Sequence, residues 1–182
     1  RAGDTWRQEA YLKSPISEGN DSWGISIAVS ADGNTIALGS ADEDCLATGV
    51  NPPGCDDDRE ANTSAGAVSV FAREGATWTQ QGYIKASNTD VTDWFGLRVA
   101  LSGDGNALAA SAIYEASAAR GIGGRQDDNS AGETGAVYYF TRSGTEWTQE
   151  AYVKASNADA FDQFGGAVAI SSDGRTMVVG AR

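Results

Sequence analysis

Trp6-Arg-Gln-Glu-Ala-Tyr-Leu-Lys13 is the first of three copies of one motif in this chain. It recurs as Trp78-Thr-Gln-Gln-Gly-Tyr-Ile-Lys85, 72 residues later, and again as Trp147-Thr-Gln-Glu-Ala-Tyr-Val-Lys154, a further 69 residues along. After each copy an Asp and, three residues on, a Gly follow at constant spacing: Asp21 and Gly24, Asp93 and Gly96, Asp162 and Gly165. Such self-similarity marks a repeat architecture, in which each unit buries its apolar face against its neighbours.

The repeating unit has the pattern of four antiparallel strands. Two short apolar runs around an Asp-Gly pair follow each of these glycines, which predicts a hairpin: Asp32-Gly33, Asp104-Gly105 and Asp173-Gly174. A long polar loop leads to a third run that begins at Gly66 or Gly135, and the Trp motif supplies a fourth strand. In that strand a two-residue period places Trp6, Gln8, Ala10 and Leu12 on one face and Tyr11 and Lys13 on the other.

Four antiparallel strands per unit predict an all-β fold, a β-propeller of which the chain holds about two and a half blades. Residues 1–23 are expected to hold an outer strand and linker of a preceding blade. Residues 24–85 and 96–154 form two blades, and residues 165–182 form the first two strands of a further blade. Gly24, Gly96 and Gly165 would open the innermost strands, and Trp6, Trp78 and Trp147 would lie on the outermost ones.

Propellers close with about 4–8 blades, so we expect the chain to be an incomplete segment of a longer propeller. The alternative is an open, solenoid-like arc that is complete with these units.

These strands resemble the FG-GAP repeat, the blade of integrin α-subunit propellers and of many bacterial surface and secreted proteins. The resemblance rests on Phe95-Gly96, on Phe164-Gly165, on Val178-Val-Gly-Ala181 and on the Gly-Ala-Val-Tyr-Tyr-Phe run at residues 135–140. The first unit has Trp23-Gly24 instead of Phe-Gly, so the resemblance is to a divergent bacterial type. The hairpins are also similar to WD40 blades and to the Asp-box of sialidases. Both fit less well, because the period near seventy is too long and the Asp-box spacing differs by one residue.

Composition excludes several classes of function. With 13 Lys and Arg against 25 Asp and Glu, the net charge of −12 disfavours nucleic acid and anionic membranes as partners. No apolar run is long enough for a membrane-spanning helix, so no membrane insertion is expected. The chain has no His, which removes His-based acid–base catalysis, Ser-His-Asp and Cys-His nucleophiles and His-ligated zinc.

Cys45 and Cys55 flank an Asn51-Pro-Pro-Gly54 stretch in the first long loop. Pro-Pro-Gly favours a chain reversal, so we predict a disulfide between them and hence an oxidising, extracellular or cell-surface setting. The alternative is two unpaired thiols in a cytosolic loop.

Acidic residues concentrate in the two long loops and suggest a tentative Ca²⁺ site. Ca²⁺ takes about six to eight oxygen ligands, and the candidates are Asp56, Asp57, Asp58, Asp127, Asp128 and Asn129. Integrin-type blades carry their calcium ligands in the hairpin between the first two strands, but each such hairpin here has a single Asp. The metal residues of that family therefore do not carry over, and a solvated acidic loop without an ion is the alternative.

Asp21, Asp93 and Asp162 have two interpretations as well. They could form a functional ring at one end of the propeller, but an Asp before a strand more often accepts hydrogen bonds from its own turn. Trp6, Trp78 and Trp147 are expected to pack between blades or onto the outer strand, with a carbohydrate platform as the alternative.

Two classes of function remain. The first is a non-catalytic binding, adhesion or structural module whose acidic loops meet a protein or glycan partner, or the remaining blades of the same propeller. The second is a polysaccharide hydrolase or lyase that uses loop carboxylates as acid and base. An active site needs one distinct constellation, whereas this chain repeats its acids in equivalent places, so we favour the non-catalytic module.

Overall fold

The computed structural model of the chain describes residues 4–14, 16, 19–55 and 62–182. These residues hold ten strands in three antiparallel sheets and contain no helix. The prediction of an all-β fold is therefore confirmed. The two sheets of four strands and the one of two strands are consistent with incomplete propeller blades, as the strand pattern predicts.

Each sheet is a meander in which neighbouring strands are consecutive in the chain. The first sheet contains β1 (Ser26–Val29), β2 (Thr35–Ser40), β3 (Ala67–Glu74) and β4 (Thr77–Ile84). The second contains β5 (Val99–Leu101), β6 (Ala107–Ala112), β7 (Ala136–Ser143) and β8 (Glu146–Val153). The third is the hairpin of β9 (Ala167–Ile170) and β10 (Met177–Gly180). We call these three sheets, each with the segment that leads into it, the first, second and third units.

The β1–β2 hairpin shows why Asp-Gly stands at these turns. The Asp32 carboxylate accepts a hydrogen bond from the backbone N–H of Asn34 (2.9 Å) and another from the Ser30 hydroxyl (2.6 Å). Gly33 takes a φ of 71°, which a glycine adopts without steric cost. Asp104 and Asp173 make the same pair of contacts in the other two hairpins. Local side-chain chemistry therefore fixes the register of all three hairpins.

A β-bulge interrupts the fourth strand of both complete sheets. In the first sheet the pairing slips between Val70 and Phe71, so that Val70 lies opposite Gly82 while Phe71 lies opposite Gln80. The same slip occurs between Tyr139 and Phe140 in the second sheet. Because the bulge inserts one residue, the side chains after it are shifted to the other face.

The prediction that one face carries all the alternate residues of the Trp motif is therefore wrong for β4 and β8. In β4, Trp78 and Gln80 share a face with Tyr83, and Gly82 and Ile84 lie on the opposite face. A strict two-residue period does not anticipate the extra residue, because a bulge is set by the pairing with the neighbouring strand.

Residues 6–13 form no strand, so the predicted outer strand is absent there. Trp6 is 79% exposed and Tyr11 is 80% exposed. The corresponding strands β4 and β8 are each hydrogen-bonded to the third strand of their own sheet. Among the described residues, no strand pairs with residues 6–13. A strand without a neighbour has no hydrogen-bond ladder to hold it.

The sheets stack side by side through their first strands. β1 contacts β5, and β5 contacts β9. One hydrogen bond repeats at both junctions: the N–H of Ala31 donates to the carbonyl of Gly103, and the N–H of Gly103 donates to that of Ser172, both at 2.8 Å. The strands that follow Gly24, Gly96 and Gly165 are thus the ones nearest to one another, as the inner strands of successive blades would be.

The main core lies between the first and second sheets. Its fully buried members come from both sides and include Val70, Ile84, Leu108 and Tyr138. Trp147 belongs to this core, is 4% exposed and lies against the first sheet, since a methyl group on Gly82 would approach its Cδ1 atom to 3.3 Å. The Arg142 guanidinium lies 5.4 Å from the centre of the Trp147 ring. This tryptophan packs between sheets, which is the structural role predicted for it.

Candidate binding site at the loop end of the sheets

The long loops between second and third strands lie at one end of the sheets, beside the segments that link one unit to the next. The backbone N–H of Phe95 donates to the carbonyl of Ala65 (3.0 Å), and that of Phe164 donates to the carbonyl of Thr134 (2.9 Å). Each long loop therefore closes against the linking segment of the following unit. The turns between third and fourth strands lie at the opposite end, because the meander reverses direction at every strand.

The Phe-Gly pair anchors this junction. Phe95 is fully buried, and its ring meets those of Tyr138 and Phe140 edge-on at centroid distances of 5.3 and 6.2 Å. Gly66 lies so close to Phe95 that a Cβ atom on it would be 2.1 Å from the Phe95 carbonyl oxygen, and Gly135 has the same relation to Phe164, at 2.2 Å. Only glycine fits at such a close approach of two backbones.

The aspartate before each Phe-Gly pair holds its own turn. Asp93 accepts a hydrogen bond from the backbone N–H of Asp90 (3.0 Å), and Asp162 accepts one from that of Asp159 (2.8 Å). These are the contacts that the structural interpretation of these residues predicts. Asp93 is 4% exposed, and this burial, together with the nearby Glu115 carboxylate, raises the pKa of Asp93 to about 7.

The residues on either side of this aspartate take a left-handed conformation in all three units. The φ angles are 84° and 52° at Asn20 and Ser22, and 66° and 57° at Thr92 and Trp94. In the third unit the equivalent residues, Phe161 and Gln163, have φ angles of 70° and 48°. Asn tolerates this region, but Thr and bulky residues rarely adopt it. The backbone geometry is therefore common to the units, although the side chains are not.

A buried ion pair fixes the start of each long loop. In the second unit the Glu115 carboxylate accepts hydrogen bonds from the Lys154 ammonium (2.5 Å) and the Tyr152 hydroxyl (2.8 Å). The side chains of the pair are 0% and 1% exposed. Burial lowers the pKa of Lys154, and the Glu115 charge opposes this decrease. Burial raises the pKa of Tyr152, and the Glu115 charge adds to this increase. In the first unit, the Glu43 carboxylate makes the same contacts with Lys85 and Tyr83.

Sequence reasoning missed this Glu-Lys-Tyr cluster, because Glu43 and Glu115 lie in the long loops among many other acidic residues. A signal was present in the Tyr-x-Lys ending of the Trp motif. A lysine that recurs at the end of a regular strand needs a partner if it is buried.

The structure contains the predicted disulfide between Cys45 and Cys55, with the two Cα atoms 5.4 Å apart. Both cysteines are buried, and they pack with Tyr83, Ala67 and the partly buried Ile16. The disulfide therefore lies directly against the Glu-Lys-Tyr cluster of the first unit.

The predicted calcium ligands do not form a common site in the part of the chain that the structure describes. Asp127 is engaged by the guanidinium of Arg125 through two hydrogen bonds of 3.1 Å. Asp128 accepts from the backbone of Ser130, and the Asn129 amide donates to Asp90. No group of three or more acidic or Cys side chains among the described residues lies close enough to hold a metal ion. Asp56, Asp57 and Asp58 lie outside the described residues.

Among the clefts that open at this end are one in the first unit and one in the second. The first, of about 440 Å³, is lined by the linking segment at residues 19–22 and by loop residues that include Asp42 and Asp44. The second, of about 500 Å³, is lined by residues 90–94 and by loop residues that include Tyr114, Asn129 and Glu133. They occupy equivalent places in the repeat, so they can be compared position by position.

Comparison with known proteins assigns part of the chain to a family. Residues 147–182 match the family described as the FG-GAP repeat. This match runs from the fourth strand of the second unit through both strands of the third. The comparison with curated proteins gives no match. Among the described residues, none lies in a helix long and apolar enough to cross a membrane. This part of the chain, residues 147–182, is therefore similar to an FG-GAP repeat, as the resemblance of its motifs implies.

Proposed function

We propose that this chain is part of a non-catalytic, extracellular or cell-surface β-propeller that binds a protein or glycan partner at its loop end. At the level of the family, the FG-GAP repeat indicates an adhesion or structural module. The observation that carries the finer proposal is that equivalent loop ends share one framework, while the side chains that line their clefts differ. A constant framework with variable loops is how repeat proteins build binding surfaces.

The Cys45–Cys55 disulfide supports the proposed location. Disulfides form and persist in oxidising compartments and are rare in the cytosol. The net charge of −12 supports partners that are neutral or basic, because an acidic surface repels polyanions.

The alternative, a polysaccharide hydrolase or lyase, has one observation in its favour, which is the raised pKa of Asp93 in the second cleft. Asp93, however, holds its own turn through the N–H of Asp90, and Asp162 does the same in the third unit. Glu43 and Glu115 are each bonded to a buried Lys. The loop carboxylates are thus occupied by repeated structural contacts, which favours binding over catalysis.

Calcium stays a prediction within this proposal. Asp127, Asp128 and Asn129 make separate contacts with protein groups and do not present a shared set of oxygens in this conformation. The residues present therefore do not fit a calcium site in the second loop, and we assign no role to the ion there.

The binding proposal can be tested with arrays of glycans and of extracellular proteins probed with the labelled chain. We expect a partner whose binding is lost when the exposed loop residues Ile122, Arg125 and Asp127 are changed to Ser. In the matched control, Glu74, Thr145 and Glu146 are changed to Ser. These residues are exposed at the opposite end, so the control should bind as the wild type does. Equal loss in both variants, or release of soluble sugar from a bound polysaccharide, would contradict the proposal.

A further inference from the structure

The clefts of the first and second units are built on the same backbone. Asp21 lines the first cleft and Asp93 lines the second, and both are buried. The residue after each aspartate has nearly the same φ, 52° at Ser22 and 57° at Trp94. Differences between the two clefts are therefore differences of side chain.

One pair of equivalent positions holds polar residues in the first cleft and aromatic residues in the second. In the first cleft the Ser22 hydroxyl donates a hydrogen bond to the Asp42 carboxylate (2.5 Å). In the second cleft the equivalent residues are Trp94 and Tyr114, whose rings lie 4.7 Å apart at an interplanar angle of 58°. The polar pair of the first cleft corresponds to an aromatic pair in the second, whose rings also pack against a buried apolar cluster.

The backbone does not require this exchange. Ser22 satisfies the same left-handed position in the first unit, and Trp is a poor choice for it, since bulky residues seldom adopt positive φ. Thr92, two residues before Trp94, is a β-branched residue at φ 66° in the same cleft. Phe161 in the third unit has a similar φ of 70°, so the left-handed backbone is common to the repeat, and the aromatic residue directly after the aspartate is what distinguishes the second cleft.

The residues that line the second cleft indicate which kind of ligand would fit it. Its acidic groups are the carboxyl groups of Asp90, Asp93 and Glu133. Each already accepts a hydrogen bond from the protein, and its oxygens have the capacity to accept more. The aromatic pair and Val91, which is 47% exposed, add apolar surface. A fitting ligand has one apolar face and a rim of hydrogen-bond donors, and it carries no acid group, because the chain has a net charge of −12.

We propose that the cleft formed by residues 90–94, 114–116 and 129–133 binds a ring of a neutral or amino saccharide, with its C–H face against Trp94 and Tyr114. A sugar ring has such an apolar face and hydroxyl donors around its edge. An aromatic side chain offers a large, rigid apolar surface at small entropic cost. The inference rests on the proposed function and names the class of partner for one cleft.

The test is calorimetric titration of the whole chain with four hexasaccharides: a glucose hexamer, a glucosamine hexamer, its N-acetylated form and a galacturonate hexamer. We expect binding of at least one of the first three and none of the acidic galacturonate. In the double variant Trp94→Ser/Tyr114→Asp, which installs the residues of the first unit, affinity should fall by at least about tenfold, which is about 1.4 kcal/mol, because both rings that the sugar contacts are removed.

This variant also separates stacking from simple attraction between charges. Tyr114→Asp makes the cleft more acidic, so a cationic sugar that is held only by charge would bind it as well as, or better than, the wild type. Circular dichroism and the melting temperature show whether the variant is folded. The reciprocal variant Ser22→Trp/Asp42→Tyr provides a second measurement, in which the number of sugars bound per chain should rise from one to two.

Two outcomes would overturn the inference. One is a folded wild-type chain that binds none of the three acid-free hexasaccharides. The other is undiminished binding by a folded double variant. If the array partner is still lost on changing Ile122, Arg125 and Asp127, the proposed function stands and only the saccharide cleft is wrong. A lysine-rich peptide that binds in a Trp94-dependent manner, without any sugar binding, would assign the cleft to a basic protein partner instead.

Discussion

The first and second long loops share one anchor, which is the buried Glu-Lys pair, and they differ in the groups that cover this pair. In both, a glutamate soon after the second strand meets a buried lysine and a tyrosine from the end of the fourth. The first loop covers this cluster with the Cys45–Cys55 disulfide and the side chain of Ile16. The second covers it with Asn88, which donates to Glu115 (3.1 Å) and accepts from the Tyr138 hydroxyl (2.7 Å).

Asn88 and Ile16 occupy the same place in the repeat, three residues after the lysine of the Trp motif. One unit therefore seals the ion pair with apolar surface and a covalent link, and the other seals it with hydrogen bonds. The ion pair is the constant element. A buried charge must keep its partner, whereas the groups that exclude water from it can be exchanged.

Breaking the anchor should have the largest effect. We expect Lys154→Met to reduce the free energy of unfolding by about 3–5 kcal/mol, because it leaves the Glu115 carboxylate buried and unpaired. The double variant Glu115→Leu/Lys154→Met should recover much of this loss. Denaturant unfolding measures both. The control Arg125→Met removes an exposed ion pair and should cost less than about 1 kcal/mol. Equal costs for Lys154→Met and the control would show that the pair does not anchor the loop.

The disulfide should matter less, and only in the first unit. Its cysteines are 10 residues apart in the chain, and closing so short a loop stabilises by about 2–3 kcal/mol in the chain-entropy description. We expect Cys45→Ser/Cys55→Ser to lower stability by up to this amount. Hydrogen exchange should accelerate at residues 41–55 and stay unchanged at residues 113–135. Faster exchange in both loops would mean that the two anchors are coupled rather than independent.

The third prediction concerns pH and the second unit. Because the pKa of Asp93 is raised to about 7 in the folded chain, the folded state binds its proton more tightly than the unfolded state does. The stabilising contribution of protonated Asp93 is complete below about pH 4, the ordinary pKa of Asp, and is lost as the pH rises toward 7.

The free energy of unfolding should therefore fall less between pH 5 and 8 in Asp93→Asn than in the wild type, by at least about 1 kcal/mol. Urea unfolding across this range measures it. Asp127→Asn is the control: its partner Arg125 lowers the pKa of Asp127, so its contribution is lost only as the pH falls through the acid range. A slope in Asp93→Asn equal to that of the wild type would rule out a titrating Asp93.

Calcium should have the smallest effect, and it distinguishes the two loops. Asp127 is already paired with Arg125, so we expect Asp127→Ser to leave any calcium-dependent rise in melting temperature nearly unchanged, while Asp57→Ser reduces it. Calorimetry with calcium and with a chelator compares the two variants. Loss of the shift in Asp127→Ser would place the ligands in the second loop. A wild-type melting temperature indifferent to calcium would end the prediction for both loops.

Local patterns in the sequence were sufficient for the hairpins and for the cysteine pairing. Asp32 and Gly33 show why: the turn is decided by contacts within a few residues, and its residue types are restricted. The same holds for the aspartates before the Phe-Gly pairs, which bond to their own turns. The composition also predicts that polyanionic partners are disfavoured, and this stays a prediction.

The site could not be derived in this way. The pairing of Glu115 with Lys154 joins residues 39 apart, and the contact between Asn88 and Tyr138 joins residues 50 apart. Neither spacing follows from a strand or helix period. The aromatic pair of Trp94 and Tyr114 is formed only when a linking segment packs against a long loop.

The sequence by itself determined the repeat, the all-β unit and the turn at each hairpin, because these depend on short-range periodicity and on the φ angles that Gly and Asp favour. The tertiary structure alone decided which acids are buried, where the bulge shifts residues of the Trp motif to the other face of the sheet, and which side chains line each cleft. Burial and pairing are properties of neighbours brought together across a fold, and the free energy of a charge or a ring depends on that neighbourhood more than on its place in the chain.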